Sequence, residues 1–145
     1  MTTDEQYARL LAFRTRLREF DQWSREAAAQ AGLTHTQHQL LLAVRGSGSE
    51  RGPTIGDVAA HLLVKRHTAS ELANRVTELG LATRVRDQVD HRVVRLELTA
   101  RGREVVEGLA AVHLEELRRL APVLGAVTDT QVSPSGGTPP AAGDR

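Results

Sequence analysis

Two side chains of opposite charge stand two residues apart in Asp90-His91-Arg92, just ahead of Val93-Val94-Arg95-Leu96-Glu97-Leu98, where apolar and charged residues alternate. On an extended strand residues i and i+2 share a face, so the Asp90 carboxylate can hold the Arg92 guanidinium with charge-assisted hydrogen bonds. Such a pair either stiffens a hairpin tip or presents a fixed cation to an anionic partner. Arg84 and Arg86, on the opposite arm, suit phosphate. Upstream, Lys65, Arg66, His67, Thr68, Ser70, Asn74 and Arg75 form a polar set with Glu71 among them. Lys65 and Arg66 suit phosphate, Thr68 and Ser70 a base edge or phosphate, and Asn74 adenine or phosphate.

Other chemistries find less support. The chain has no cysteine, which removes disulfides, thiolate metal sites, cysteine nucleophiles and thiol redox sensing together. No carboxylate pair, nucleophile-and-base arrangement or phosphate-cradling glycine loop stands out, so no enzymatic activity is expected and no catalytic residue is assigned. Of the six histidines, His35 and His38 are three apart on one helix, close enough to share an ion, while His61, His67 and His113 lie elsewhere. A metal site takes about four ligands; no metal or other cofactor is assigned, and a metal-responsive regulator stays as an alternative.

Charge is distributed unevenly. Residues 61–103 carry nine Lys/Arg against five Asp/Glu, a local excess of four positive charges in a chain of net charge +1. A field of that sign attracts phosphate. Arginine supplies 18 of the 19 basic residues, which a GC-rich coding sequence would also produce, so the case for nucleic acid rests on pattern rather than on charge. No apolar run is long enough to cross a bilayer and the N-terminus lacks a signal-peptide pattern, so a cytoplasmic protein with no membrane partner is expected.

These side chains need elements to position them, and the 145 residues suit one domain. Tyr7, Leu10, Leu11, Phe13, Leu17, Phe20, Trp23, Ala27 and Ala31 recur at helical spacing, predicting a helix of about 40 Å. A helix that long overhangs so short a chain, and a second copy is the simplest cover for its apolar stripe. Thr34 with Gln37 caps a second helix that stops near Gly46; Thr54 with Asp57 caps a third carrying Ile55, Val58, Ala59 and Leu62. A fourth helix runs from about Arg66 to Leu79, burying Ala69, Leu72, Ala73, Val76 and Leu79. Between Leu81 and Leu98 the period changes to two, with Thr83 and Val85 on one arm. On the other, Val94, Leu96 and Leu98 face in while Val93, Arg95 and Glu97 face out. Thr99 caps a last long helix that meets Pro122 near its end. The Pro/Gly/Ser-rich stretch beyond is expected to be disordered.

A short helix, a tight turn, a helix with a polar outer face and a charged hairpin compose a winged helix-turn-helix. The major groove, about 12 Å wide, admits one helix while a hairpin beside it reaches the minor groove. The order of elements, "LTHTQHQLLLAV", "TIGDVAAHLLVKRHTASELANRVTELGLATR" and above all "DHRVVRLELTARG" resemble the MarR (multiple antibiotic resistance regulator) family of transcription factors. The family's wing pattern, Asp-x-Arg followed by alternation and Leu-Thr-x-x-Gly, falls on Asp90, Arg92, Leu98, Thr99 and Gly102.

The resemblance implies a mainly α fold with a small β-hairpin wing. It divides the chain into an N-terminal dimerisation helix (1–32), a DNA-binding lobe (33–98), a C-terminal dimerisation helix (99–125) and a disordered tail (126–145). It also implies a homodimeric repressor of a near-palindromic double-stranded DNA operator, released by a small-molecule effector. Arg92 falls on the minor-groove arginine and Asp90 on the carboxylate that orients it. The family's effector pocket lies between the dimerisation helices and the lobe, which suggests Phe13, Arg14, Phe20, Trp23, His38 and Leu41 as lining residues, each of which also reads as core. The chain departs from the pattern where a sixth helix is usual, leaving room only for a short one around 119–127. A winged helix that binds an acidic protein partner through the same surface is the alternative.

Overall fold

The computed structural model describes residues 1–128. Its elements in chain order are α1 (Asp4–Gln30), α2 (His35–Gly46), α3 (Ile55–Leu62), α4 (Arg66–Glu78), β1 (Ala82–Arg86), β2 (Val94–Leu98) and α5 (Ala100–Thr128). The fold is mainly α, with a two-stranded antiparallel wing. Three of the helices start at capping boxes: Thr3 with Gln6, Thr34 with Gln37 and Thr54 with Asp57 each exchange two hydrogen bonds with the backbone. Where a short sixth helix had seemed possible, α5 continues unbroken through Pro122 to Thr128. The rest of the stretch expected to be disordered, 129–145, lies outside the described residues.

The core lies where α2, α3 and α4 meet the base of the wing. Leu40, Leu41, Val58, Ala69, Ala73, Val76 and Leu96 are fully buried there. Two alanines on the inner side of α4 let it approach its neighbours closely, which brings its outer side into line with the hairpin. Register pairs Ala82 with Leu98, Arg84 with Leu96 and Arg86 with Val94. Directly paired residues share a face, so Arg84 stands on the side turned toward the core, and Thr83 and Val85 share the outer face with Glu97 and Arg95. Pro53 adds a third segment to the wing by accepting the Leu96 amide at 2.9 Å. The approach needs Gly52: at φ 82° a Cβ there would lie 3.2 Å from the Leu96 carbonyl carbon and closer still to its oxygen.

The turn between α3 and α4 is made by Leu63 in the left-handed region, at φ 56° and ψ 41°. Its side chain is 92% exposed. A leucine here carries backbone strain with no packing to offset it. Leu63→Gly is therefore expected to stabilise the protein by about 1 kcal/mol, read as a higher midpoint in denaturant unfolding; an unchanged or lower midpoint would contradict this account of the turn.

The two long helices touch each other and α2 only along part of their length. α1 buries Ser24 and Ala28, near its C-terminal end, while Tyr7, Leu10 and Leu11 are 61%, 59% and 65% exposed. α5 buries Gly102, Val106 and Leu109, after which Val112, Leu114 and Leu117 are exposed. Among the described residues no helix is long and apolar enough to cross a membrane.

Candidate nucleic-acid interface

Lys65 is the N-terminal cap residue of α4, in extended conformation, and Arg66 opens the helix. On the outer side of α4, Arg66, His67, Glu71, Asn74 and Arg75 are exposed, and Thr68 and Ser70 are half-buried. Arg75 lies 3.9 Å from Glu78 on the same helix. Between α4 and the wing runs an open groove of about 900 Å³, lined by Arg66, His67, Ser70, Glu71, Arg84 and Arg92 among others. Of the sequence-predicted residues, Arg66, His67, Ser70, Arg84 and Arg92 thus meet in one groove, while Lys65, Thr68, Asn74, Arg75, Arg86 and Asp90 lie outside its lining.

Within that surface Arg84 faces α4. Its Nη2 donates to the Ser70 carbonyl at 3.1 Å, to Ser70 Oγ at 3.2 Å and to Asn74 Oδ1 at 2.7 Å. The strand is thereby tied to α4, and Arg84 also lines the groove. Arg86 bends toward the hairpin tip, where Nη1 comes within 3.5 Å of the His91 carbonyl.

At the tip, Asp90 takes Arg92 in two side-chain bonds, Nε to Oδ1 at 3.1 Å and Nη2 to Oδ2 at 3.3 Å, and also accepts the Arg92 amide at 3.1 Å. The Arg92 hydrogen bonds hold the Asp90 carboxyl below the usual carboxylate range. The Arg92 side chain nevertheless remains 91% exposed. It is oriented at its root and free to meet a partner.

Beneath the tip sits a network that reading by sequence missed. Arg95, expected to face solvent, turns under the hairpin: Nε donates to Asp87 Oδ2 at 2.6 Å and Nη1 to the Gly52 carbonyl at 2.9 Å. The other Asp87 oxygen accepts the amides of Val89 at 2.8 Å and Asp90 at 3.2 Å. Asp87 is buried by these contacts, and the Arg95 hydrogen bond, followed by the two amides, lowers its pKa to about 2. A charged residue in an alternating strand gives no sign that it will turn inward. The contact with Gly52, 43 positions away, decides it.

The base of the wing explains the Leu-Thr-x-x-Gly run. Thr99 Oγ1 accepts the Gly102 amide at 3.0 Å as the cap of α5 and donates to the Gly80 carbonyl at 2.7 Å, while the Thr99 amide donates to Leu81 O at 3.1 Å. Gly102 lies directly against that carbonyl: a Cβ would sit 2.9 Å from the Leu81 carbonyl carbon and closer still to its oxygen. The two ends of the hairpin are fastened to each other and to α5.

Of the residues suggested for an effector pocket, Phe20, Trp23 and His38 gather around His113, which had not been grouped with them. Ring centroids of Trp23 and His38 each lie 4.8 Å from that of His113, and Phe20 lies 6.2 Å away. His113 Nδ1 is 2.7 Å from the Leu109 carbonyl, which can only accept, so Nδ1 carries a proton, and Nε2 is hydrogen-bonded with Ser24 Oγ at 2.8 Å. Phe13 is half-buried and Arg14 exposed, on α1 well ahead of this cluster, and Leu41 belongs to the core. Among the described residues no three His, Asp or Glu side chains are placed to hold a metal ion.

His38 is only 2% exposed, and its Nδ1 has no hydrogen-bond partner. Burial first, then the neighbouring His113 and His35, lowers its pKa from 6.5 to about 4. The folded protein therefore keeps His38 neutral at pH values where the unfolded chain binds a proton. Its contribution to stability is complete above about pH 6.5, declines as pH falls toward 4, and changes no further below that. Unfolding midpoints should drop more between pH 7 and pH 5 for the wild type than for His38→Gln; equal drops would count against a buried neutral His38.

The sequence model of the MarR family matches residues 31–93, which span α2 through the wing tip. This lobe belongs to the MarR family. Solved structures extend the likeness to the long helices. S. aureus MepR, in a complex with DNA, is 26% identical over 77% of this chain and 81% of its own, with a TM-score of 0.67. A MarR family protein from Bacillus stearothermophilus is 25% identical over 89% and 86%, with a TM-score of 0.69. NadR in complex with 4-hydroxyphenylacetate, at 22% identity over 80% of each chain and a TM-score of 0.68, shares the fold. No curated protein matches the chain. The fold is that of the MarR-family transcription regulators.

Proposed function

We propose that the protein is a homodimeric, ligand-responsive transcriptional repressor that binds a near-palindromic operator in the cytoplasm. The observation that carries this reading is the wing tip. A guanidinium held by Asp90 yet 91% exposed stands beside a groove lined by further arginines and the polar side of α4. α4 reads the major groove through His67, Thr68, Ser70, Asn74 and Arg75. Arg92 enters the adjacent minor groove, and Lys65, Arg66, Arg84 and Arg86 contact phosphates. MepR, similar over the lobe and both long helices, has been captured on DNA, which supports the assignment.

Dimerisation through α1 (with residues to 32) and α5 (from 99 onward) is supported by their exposed apolar residues, Tyr7, Leu10 and Leu11 on one helix and Val112, Leu114 and Leu117 on the other. A second copy would cover both and set the two α4 helices about 34 Å apart, one turn of DNA. An effector site around Phe20, Trp23, His38 and His113 is supported by the unpartnered Nδ1 of His38 in an aromatic setting, and NadR is known with a small aromatic acid bound. Repression then follows from operator occupancy, and release from a shift of α1 and α5 that respaces the two lobes.

Titration of the full-length protein against duplex DNA from upstream of its own gene, with a scrambled duplex as control and several salt concentrations, tests the reading. Affinity for the upstream DNA well above that for the scrambled duplex is expected, with a dimer in sedimentation. Equal affinity for both, or a monomer under every binding condition, would overturn it. Tight binding to an acidic protein without DNA preference would favour an interaction module instead.

A further inference from the structure

Donors dominate the groove between α4 and the wing. Asn74 commonly reads adenine by donating to N7 and accepting N6–H through its own oxygen, but here Oδ1 is held by Arg84 at 2.7 Å. Asn74 is left chiefly as a donor. Arg66, Arg84 and Arg92 line the groove beside it and have only N–H groups to offer. Among the described residues Glu71 is the one carboxylate in its lining. It is exposed on the outer side of α4, lines the groove, and takes part in no hydrogen bond or ion pair among the described residues. Of the arginines lining the groove, Arg84 is bonded to Ser70 and Asn74 and Arg92 to Asp90, and among the described residues Arg66 forms no ion pair with Glu71.

A carboxylate turned toward a polyanion is repelled unless it meets a donor. In the major groove the donors are the amino groups of cytosine and adenine. On adenine the acceptor N7 lies beside the amino group and repels the second carboxylate oxygen. On cytosine the neighbour is C5–H, which does not. We infer that Glu71 is a specificity-determining residue, accepting a hydrogen bond from a cytosine N4 amino group in each operator half-site. This inference rests on the DNA-binding reading above. Glu71 disfavours phosphate everywhere and is compensated only over C·G, so it contributes discrimination more than affinity.

Selection from randomised duplexes with the full-length wild type, Glu71→Ala and Glu71→Gln, followed by titration of duplexes changed at single base pairs, tests it. The wild type should select C·G at one position per half-site and lose about tenfold in affinity when that pair is replaced. Glu71→Ala should lose the preference at that position alone. Glu71→Gln should admit A there, because an amide can pair with both N6 and N7. A Glu71→Ala profile identical to wild type at every position would overturn the inference and leave the DNA-binding reading standing; a wild type that selects no sequence would overturn both.

Discussion

Gly102→Ala is expected to destabilise the protein by about 3 kcal/mol or more, at the upper end for an added methyl group, because the new atom meets backbone rather than a movable side chain. The Cβ would lie within 2.9 Å of the Leu81 carbonyl carbon, and that carbonyl already accepts the Thr99 amide. Relief requires moving the start of α5 away from the wing, which breaks the Thr99 bonds to Gly80 and Leu81 together. Gly108 provides the control: it lies on the same helix with nothing within 4 Å of its missing Cβ. Gly108→Ala should stabilise by up to about 1 kcal/mol through helix propensity. Chemical unfolding of the two variants beside wild type decides the matter. Similar midpoints for both would show that the close approach at Gly102 carries no cost.

Arg92→Ala should lower operator affinity by about tenfold or more while leaving the unfolding midpoint unchanged. The side chain is 91% exposed and its bonds run only to Asp90, two residues away, so little of the fold depends on it. Removing one cation that neutralises phosphate should also lower the salt slope, by about one at most. Asp90→Ala separates charge from orientation. It frees Arg92 without removing it, so affinity should fall by less and the salt slope should hold. Equal operator affinity of Arg92→Ala and wild type in a gel shift would remove the wing tip from the interface.

The elements of this protein are legible because local chemistry encodes them. Thr34 with Gln37 and Thr54 with Asp57, each pair three residues apart, mark helix starts, and the structure has both boxes. The change from helical to twofold spacing after Gly80 marks the wing, and Asp90 and Arg92 do pair, though in the turn ahead of β2, where Asp90 also accepts the Arg92 amide, rather than along an extended strand. The overhang of α1 was readable too, since Tyr7, Leu10 and Leu11 repeat at helical spacing whether or not anything covers them. What a period cannot carry is which side chain meets which across the fold. Arg84 reads as a phosphate contact and Arg95 as an outward-facing strand residue, yet one clamps α4 and the other lies under the hairpin.

Sequence by itself therefore determined the kind of protein: a winged helix-turn-helix with a charged reading surface, long apolar-striped terminal helices and a held arginine at its tip. These follow from spacing over a few residues, where backbone geometry leaves few choices. Only the tertiary structure decided that Asn74 gives up its acceptor to Arg84 and that Glu71 stands as an unpaired carboxylate in the groove. It alone brought His113 against His38 and Ser24, and set the backbone of Leu81 where Gly102 must have no side chain. Each of these contacts joins separate elements. Their geometry depends on how closely whole helices and strands pack, which no local run of residues encodes.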